Sequence, residues 1–214
     1  MSAPAPGAVS PDVAALLGQA EATCQLWAEQ DEGPYRADVH PTRRDVTEDR
    51  DGIRLALGLV LGDERGTPTA GGTVEIWHCD AAGRYSGFPP PAGAPHTEYV
   101  RGQTFLRGSQ PTDSAGRVEF RTIYPGWYPG RTVHIHVIVR AGGETFTSQL
   151  YFPEEVTAAV FASPPYSERP GRDTTNATDT IFPTGGEPAV LHVVPATGGG
   201  YLAAIGLHLP AARL

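Results

Sequence analysis

Residues 124–139 read Tyr124-Pro-Gly-Trp-Tyr-Pro-Gly-Arg-Thr-Val-His-Ile-His-Val-Ile-Val139. Val133, Ile135, Val137 and Val139 are β-branched, apolar and spaced by two, so the second half of the stretch reads as a strand. His134 and His136 then share one face of it. Their Cβ atoms lie roughly 6 to 7 Å apart, two strand rises, a separation from which two imidazoles can converge on one ion. The plain alternative is a half-buried strand whose polar face happens to carry two histidines. The neighbourhood argues for the ion: Tyr128, between Trp127 and Pro129 on a glycine-flanked turn, lies just ahead of the strand, with Arg131 between them.

Working outward, Gly116 to Thr122 forms a strand that leads into this stretch, and Glu144 to Phe152 forms one after it, carrying Gln149 among apolar neighbours. Ile53, Leu55, Leu57, Leu59 and Leu61 alternate with Arg54, Ala56, Gly58 and Val60, a strand with one strongly buried face. Thr73 to Cys79 is the next strand, and it runs into a polar, glycine-punctuated loop from Asp80 to Gly87 that presents Tyr85. A proline-rich excursion from Phe88 to about Arg101 has no periodicity, and loops of that length in compact domains are often functional walls. A short helical piece spans Glu154 to Ala162, a polar loop Arg169 to Asp179, and two last strands Val190 to Val194 and Tyr201 to Leu209. Near the N-terminus, Ser10-Pro-Asp12 is a cap with a first-turn proline, opening a helix through about Ala22. Glu32-Gly-Pro-Tyr-Arg36 is a turn that brings Tyr35 forward.

Eight or so short strands with turn signals between them predict an all-β, antiparallel β-sandwich with long loops at one end. The 26 glycines and 21 prolines among 214 residues agree with that class. The expected layout is an N-terminal arm with a short helix over 1–30 and one sandwich domain over 31–214. The formal net charge is -8, which excludes nucleic acid as the main partner, since phosphate binding needs a basic face. All sixteen basic residues are arginine. No apolar run spans a membrane, and the N-terminus lacks the basic and apolar regions of a secretory leader, which predicts a cytoplasmic protein unless a leader was trimmed. Cys24 and Cys79 are expected to be two buried thiols rather than a bridge. His40, His78, His96, His192 and His208 read as structural or solvated, with His78 placed near the Tyr85 loop. Asn176-Ala-Thr178 reads as a plain loop.

Tyr85 and Tyr128, each just past the end of a strand, can approach the face carrying His134 and His136. Either tyrosine alone is an ordinary packing aromatic. Together, two phenols and two imidazoles suit a hard, oxidised ion, ferric iron rather than zinc.

Four motifs in this order, Trp77-His-Cys-Asp-Ala-Ala-Gly-Arg-Tyr85, Tyr124-Pro-Gly-Trp-Tyr-Pro129, Arg131-Thr-Val-His-Ile-His136 and Ser148-Gln-Leu-Tyr-Phe152, resemble the intradiol ring-cleavage dioxygenases, the group of the protocatechuate and catechol dioxygenases. The resemblance implies one non-haem Fe(III) per chain, held by Tyr85, Tyr128, His134 and His136. It implies that Arg131 steadies charge on the substrate, that Gln149 lines the iron pocket, and that Tyr128 leaves the iron to take a catechol proton. Pro34 and Tyr35 would form the N-terminal edge of a substrate pocket that also includes Trp127 and Tyr124. The substrates would be a catechol-type ring and O2, the product a cis,cis-muconate-type diacid. Only five residues separate Tyr128 from His134, fewer than in the best-known members, which implies a more open pocket. One chain holds the whole set, so a monomer or a homo-oligomer is expected, with a homodimer as the working choice. Two other readings are a non-catalytic metal- or ligand-binding β-sandwich module and a ferrous 2-His-1-carboxylate oxygenase using Glu119 or Asp80. Glu119 alternates out of phase with Val118 and Phe120 and reads as a solvated strand residue.

Overall fold

The computed structural model describes residues 9–20, 25–26, 28–39, 41–63, 65–92 and 100–209. The expected strands form, and among the described residues there are nine: β1 (Gln25–Leu26), β2 (Arg54–Asp63), β3 (Thr73–Trp77), β4 (Arg107–Pro111), β5 (Arg117–Ile123), β6 (His134–Ala141), β7 (Glu144–Tyr151), β8 (His192–Pro195) and β9 (Tyr201–Leu209). Two α-helices accompany them among the described residues, α1 (Pro11–Ala20) and α2 (Glu154–Phe161). One sheet runs β1-β9-β2-β5 with β8 also on β9, and the other runs β4-β3-β6-β7. Pairing is antiparallel except where β9, arriving from the far end of the sequence, lies parallel to β2 and β1. No helix among the described residues is long and apolar enough to cross a membrane.

The sandwich interior is filled by the alternating apolar rows. Leu55, Leu57, Leu59 and Leu61 of β2 and Val118 and Phe120 of β5 meet Val74 and Ile76 of β3 and Ile135, Val137 and Val139 of β6. The outer face of the β2 sheet is covered as well. Val13, Leu16, Leu17 and Ala20 of α1 pack there against Val60 and Ala204. Gly58 makes room for the helix, since a Cβ on it would lie 2.4 Å from Val13 Cγ1. β2 is therefore buried on both sides over most of its length, not on one. Glu119 is a second correction. Its alternation does place it on the outer face, but that face is not open to solvent: its carboxylate is buried, pairs with Arg44 at 2.5 Å and accepts the Ser10 N–H at 2.6 Å.

β4 was not expected from its polar sequence, and it is held by pairing with β3 rather than by an apolar row of its own. Cys79 is a buried free thiol whose S–H donates to Gly126 O at 3.4 Å. Cys24, Ala22, His40, His96 and the middle of the proline-rich excursion, 93–99, lie outside the described residues.

Because alternate residues of a strand face opposite ways, the β6 residues between the interior row point to the outer face of the second sheet. That face is buried too. Ile138 packs there with Trp77, Cys79, Tyr85 and Tyr128, with Tyr35 and Phe88 against them, and His134 and His136 are 2% and 1% exposed. The histidine-bearing side of β6 is thus a second interior, roofed by loops from three other parts of the chain.

Candidate active site

The two tyrosines are brought together by two loops that fit backbone against backbone. After β3, Asp80 Oδ1 accepts the N–H groups of Ala82 and Arg84 at 3.0 Å each, and Oδ2 accepts Arg84 Nε–H at 2.8 Å. This curls the loop and turns Tyr85 inward. Gly126 lies on the curl, donating to Asp80 O at 3.1 Å, and a Cβ there would sit 2.4 Å from Asp80 O and 2.5 Å from Ala81 O. Only glycine allows this approach. Tyr85 and Tyr128 consequently meet edge to face with ring centroids 5.7 Å apart. Gly126→Ala should lower stability by about 1 to 3 kcal/mol, the usual cost of forcing atoms into a closed contact, and part the two rings. A denaturant midpoint equal to that of the wild type would show that the loops tolerate separation.

The histidines enter from β6. His134 Nδ1–H donates to Thr132 O at 2.7 Å, and since a carbonyl only accepts, the ring's Nε2 carries the lone pair. That Nε2 lies 3.1 Å from His136 Nε2 and 3.5 Å from both Tyr85 Oη and Tyr128 Oη. His136 is clamped between Trp77, stacked on it at 4.8 Å and 4°, and the backbone of Gly33. A Cβ at Gly33 would lie 3.1 Å from His136 Cε1, and its φ of +70° is one that favours glycine.

Burial, with the positive field of Arg131, holds His134 well below the ordinary histidine pKa; burial, then His134 and Arg131, does the same for His136. Both rings are neutral and able to donate lone pairs. Burial pushes the phenols of Tyr85 and Tyr128 up. Four buried O and N atoms therefore crowd one point, where the two phenol protons are all that hold them together. A hard cation there would engage all four and would displace both phenol protons, so the residues present fit a ferric ion. Among the described residues no group of three or more His, Cys, Asp and Glu is placed to hold a metal. The partners available to the imidazoles are phenols. Asp80 is committed to Arg84 and its own loop, and Glu119 to Arg44, so neither candidate carboxylate is available for a ferrous 2-His-1-carboxylate set.

Arg131 donates through Nε to Asp179 Oδ2 at 2.9 Å and through Nη2 to Gln149 Oε1 at 2.5 Å. Gln149 pairs across the sheet with His136 and donates to Asp31 O at 2.9 Å. Tyr35 stacks on Tyr85 at 4.4 Å and meets Tyr128 edge-on at 5.8 Å, while the neighbouring Pro34 is exposed. Two residues assigned to the pocket are not there. Tyr124 continues the inward row of β5 into the sandwich interior, where its hydroxyl pairs with Thr157 Oγ1 at 2.8 Å. Trp127 points the opposite way from Tyr128, donating to Arg169 O at 3.3 Å under the Arg169 guanidinium. His78 is also outside the site: its nitrogens bond Cys79 O and Thr122 Oγ1 at 2.8 and 2.7 Å, and burial takes its pKa to about 4.

Trp77, Thr132, Tyr151 and Asp179 border the site without having been singled out. Tyr151 Oη donates to Gln30 Oε1 at 3.0 Å and lies 3.3 Å from Gln149 Oε1. Neither Trp77, which pairs in register with His136 across β3 and β6, nor Asp179 had a signal for this nearby in sequence.

Residues 32–163 match the family model described as Dioxygenase. The protocatechuate 3,4-dioxygenase beta chain of Burkholderia cepacia is 34% identical over 127 residues, 54% of this chain and 52% of that one. Catechol 1,2-dioxygenase 1 of Acinetobacter lwoffii is 38% identical over 103 residues, 45% of this chain and 30% of that one. The chain thus spans about half, or less, of the length of these curated relatives. A solved structure, the intradiol ring-cleavage dioxygenase from Tetranychus urticae, superposes with a TM-score of 0.79 at 34% identity, covering 86% of this chain and 94% of that chain. With the sandwich, the matched residues and this near-complete superposition taken together, the chain belongs to the intradiol ring-cleavage dioxygenase family.

Proposed function

We propose that the protein is a non-haem Fe(III) dioxygenase that opens a catechol-type ring between its two hydroxylated carbons, using O2 and giving a cis,cis-muconate-type diacid. The observation that carries this is the convergence of Tyr85 Oη, Tyr128 Oη and His136 Nε2 on His134 Nε2 in a buried space. In this reading Tyr85, Tyr128, His134 and His136 hold one ferric ion per chain. Bound there, the ion supplies Lewis acidity that draws electron density out of a catecholate ring, so that a ring carbon can react with O2.

The chain's own residues do the rest. Tyr128 would accept a catechol proton at Oη, a task suited to a buried phenolate oxygen beside the bound ring. Arg131, a permanent cation in a partly dry pocket, favours the negative charge that grows on the ring and the attacking oxygen. Gln149 orients the guanidinium, and Tyr35 with Phe88 walls the ring side against water. The protein works as a monomer or a homo-oligomer, since one chain contains every residue invoked.

The test is direct. Purified protein should bind close to one iron per chain, show a broad visible band from tyrosinate-to-iron charge transfer, and shift that band on adding catechol. A panel of simple, hydroxylated and carboxylated catechols should reveal one class that drives oxygen uptake. Colourless protein that stays inactive after reconstitution with iron is the result that sinks the proposal, and it is the result a non-catalytic binding module would give.

A further inference from the structure

Asp179 sits in the loop after residue 169, and its side chain is wholly buried. Its two oxygens serve different structures. Oδ1 accepts the N–H groups of Ile181 and Phe182 at 2.7 and 2.9 Å, which caps its own loop. Oδ2 accepts Arg131 Nε–H at 2.9 Å and Thr132 N–H at 2.8 Å, which reaches into the site. Thr132 is the residue whose carbonyl fixes the His134 ring, and its hydroxyl donates to Asn176 Oδ1 at 2.7 Å in the same loop. The far arm of Arg131 is held by Gln149. With Nε and one Nη2 proton committed, the guanidinium plane is set.

A guanidinium beside a metal cation is in an unfavourable place. The charge of Arg131 already acts on Tyr85, Tyr128, His134 and His136, and a ferric ion held by two tyrosinates and two neutral imidazoles would keep a net positive charge that repels it. Something must hold it against that repulsion. We propose that Asp179 is a positioning residue for ring cleavage: its Oδ2 pins the Arg131 guanidinium beside the reacting ring while its Oδ1 caps the loop. This rests on the function proposed above.

Asp179→Asn separates the two duties. The amide oxygen can still accept from Ile181 and Phe182, whereas the amide nitrogen would face the Arg131 and Thr132 donors and can accept from neither. We expect kcat to fall by about 10- to 100-fold, as for other losses of outer-shell positioning, with iron content, visible band and KM near wild type. In an Arg131→Leu background the same change should add little, because the group it positions is gone. Losses that multiply across the double variant, or that track a loss of iron, would overturn the proposal in favour of a general structural role.

A second readout needs no turnover. In iron-free, 15N-labelled protein, the Arg131 Nε–H resonance, assigned by its disappearance in Arg131→Leu, should be protected from exchange in wild type and exposed in Asp179→Asn. A wild-type resonance that exchanges freely refutes the anchoring outright. A resonance protected in the iron-free protein, together with iron-loaded protein that cleaves no catechol, refutes instead the catalytic reading on which the proposal rests.

Discussion

Alanine at His134 or His136 is expected to strip the protein of iron, and with it the visible band and oxygen uptake. Each histidine offers one of two neutral nitrogen donors in the cluster around His134 Nε2. Removing a mere outer-shell partner commonly costs 10- to 100-fold in metal affinity or activity, so loss of a direct ligand should weaken iron binding by more than about 10²-fold. The variants should still fold. The sandwich interior is built on Ile135, Val137 and Val139, which face away from the change. The histidine side is closed as well, however, so truncation leaves a void beside Trp77 or Tyr128 and should lower stability by about 1 to 3 kcal/mol. Metal analysis, circular dichroism and a thermal melt on the same preparations separate the two effects. Full iron and full turnover in either variant would mean that the ligand assignment is wrong.

Arg131→Leu should show the opposite pattern, keeping its iron and colour while losing on the order of 10²-fold or more in kcat, roughly 3 kcal/mol of barrier. Arginine is not a metal ligand, so metal content should be insensitive to it. Charge on the ring and on the attacking oxygen grows toward the transition state, so the loss belongs in kcat rather than in KM. Arg131→Ala should behave alike, since length alone does not replace the charge. A surface pair would contribute almost nothing, but the partner of Arg131 is the wholly buried Asp179. Removing the cation leaves that carboxylate unpaired and should cost about 3 to 5 kcal/mol of stability. Turnover is therefore best compared per bound iron and well below the melting range of the variant. Near-normal kcat per iron would mean that the charge takes no part in the chemistry.

What could be read from the sequence was whatever is encoded within a few residues. The β-branched alternation of β6 and the leucine alternation of β2 give strands directly, and the two-residue spacing of His134 and His136 gives a shared face. Alternation tells which face a residue is on and nothing about what covers that face. Glu119 was therefore read as solvated although Ser10 and Arg44 hold its carboxylate, and nothing in the alternation showed that Tyr35, Tyr85 and Tyr128 roof the histidine face. Sequence proximity misplaced Tyr124 and Trp127 for a related reason: neighbours of Tyr128 in the chain follow the row of β5 or the reverse side of the turn. The tyrosines were brought toward the histidine face by their positions just past the ends of two strands, and the resemblance then implied their role as ligands, because a lone tyrosine carries no local mark of it. Asp179 joins Arg131 across 48 positions, a distance over which no periodicity reports.

The closed outer face of the second sheet divides the molecule by labour. What keeps the chain folded is the leucine and valine interior between the sheets, and what would carry out the reaction is mounted on the reverse of one of them. Changes to the roof, such as Tyr35 or Phe88, can alter which rings are admitted without disturbing the layer that sustains the fold. A scaffold of this kind is open to diversification: the turns that roof the site can be exchanged while the layer between the sheets is kept, provided each exchange fills the closed face again.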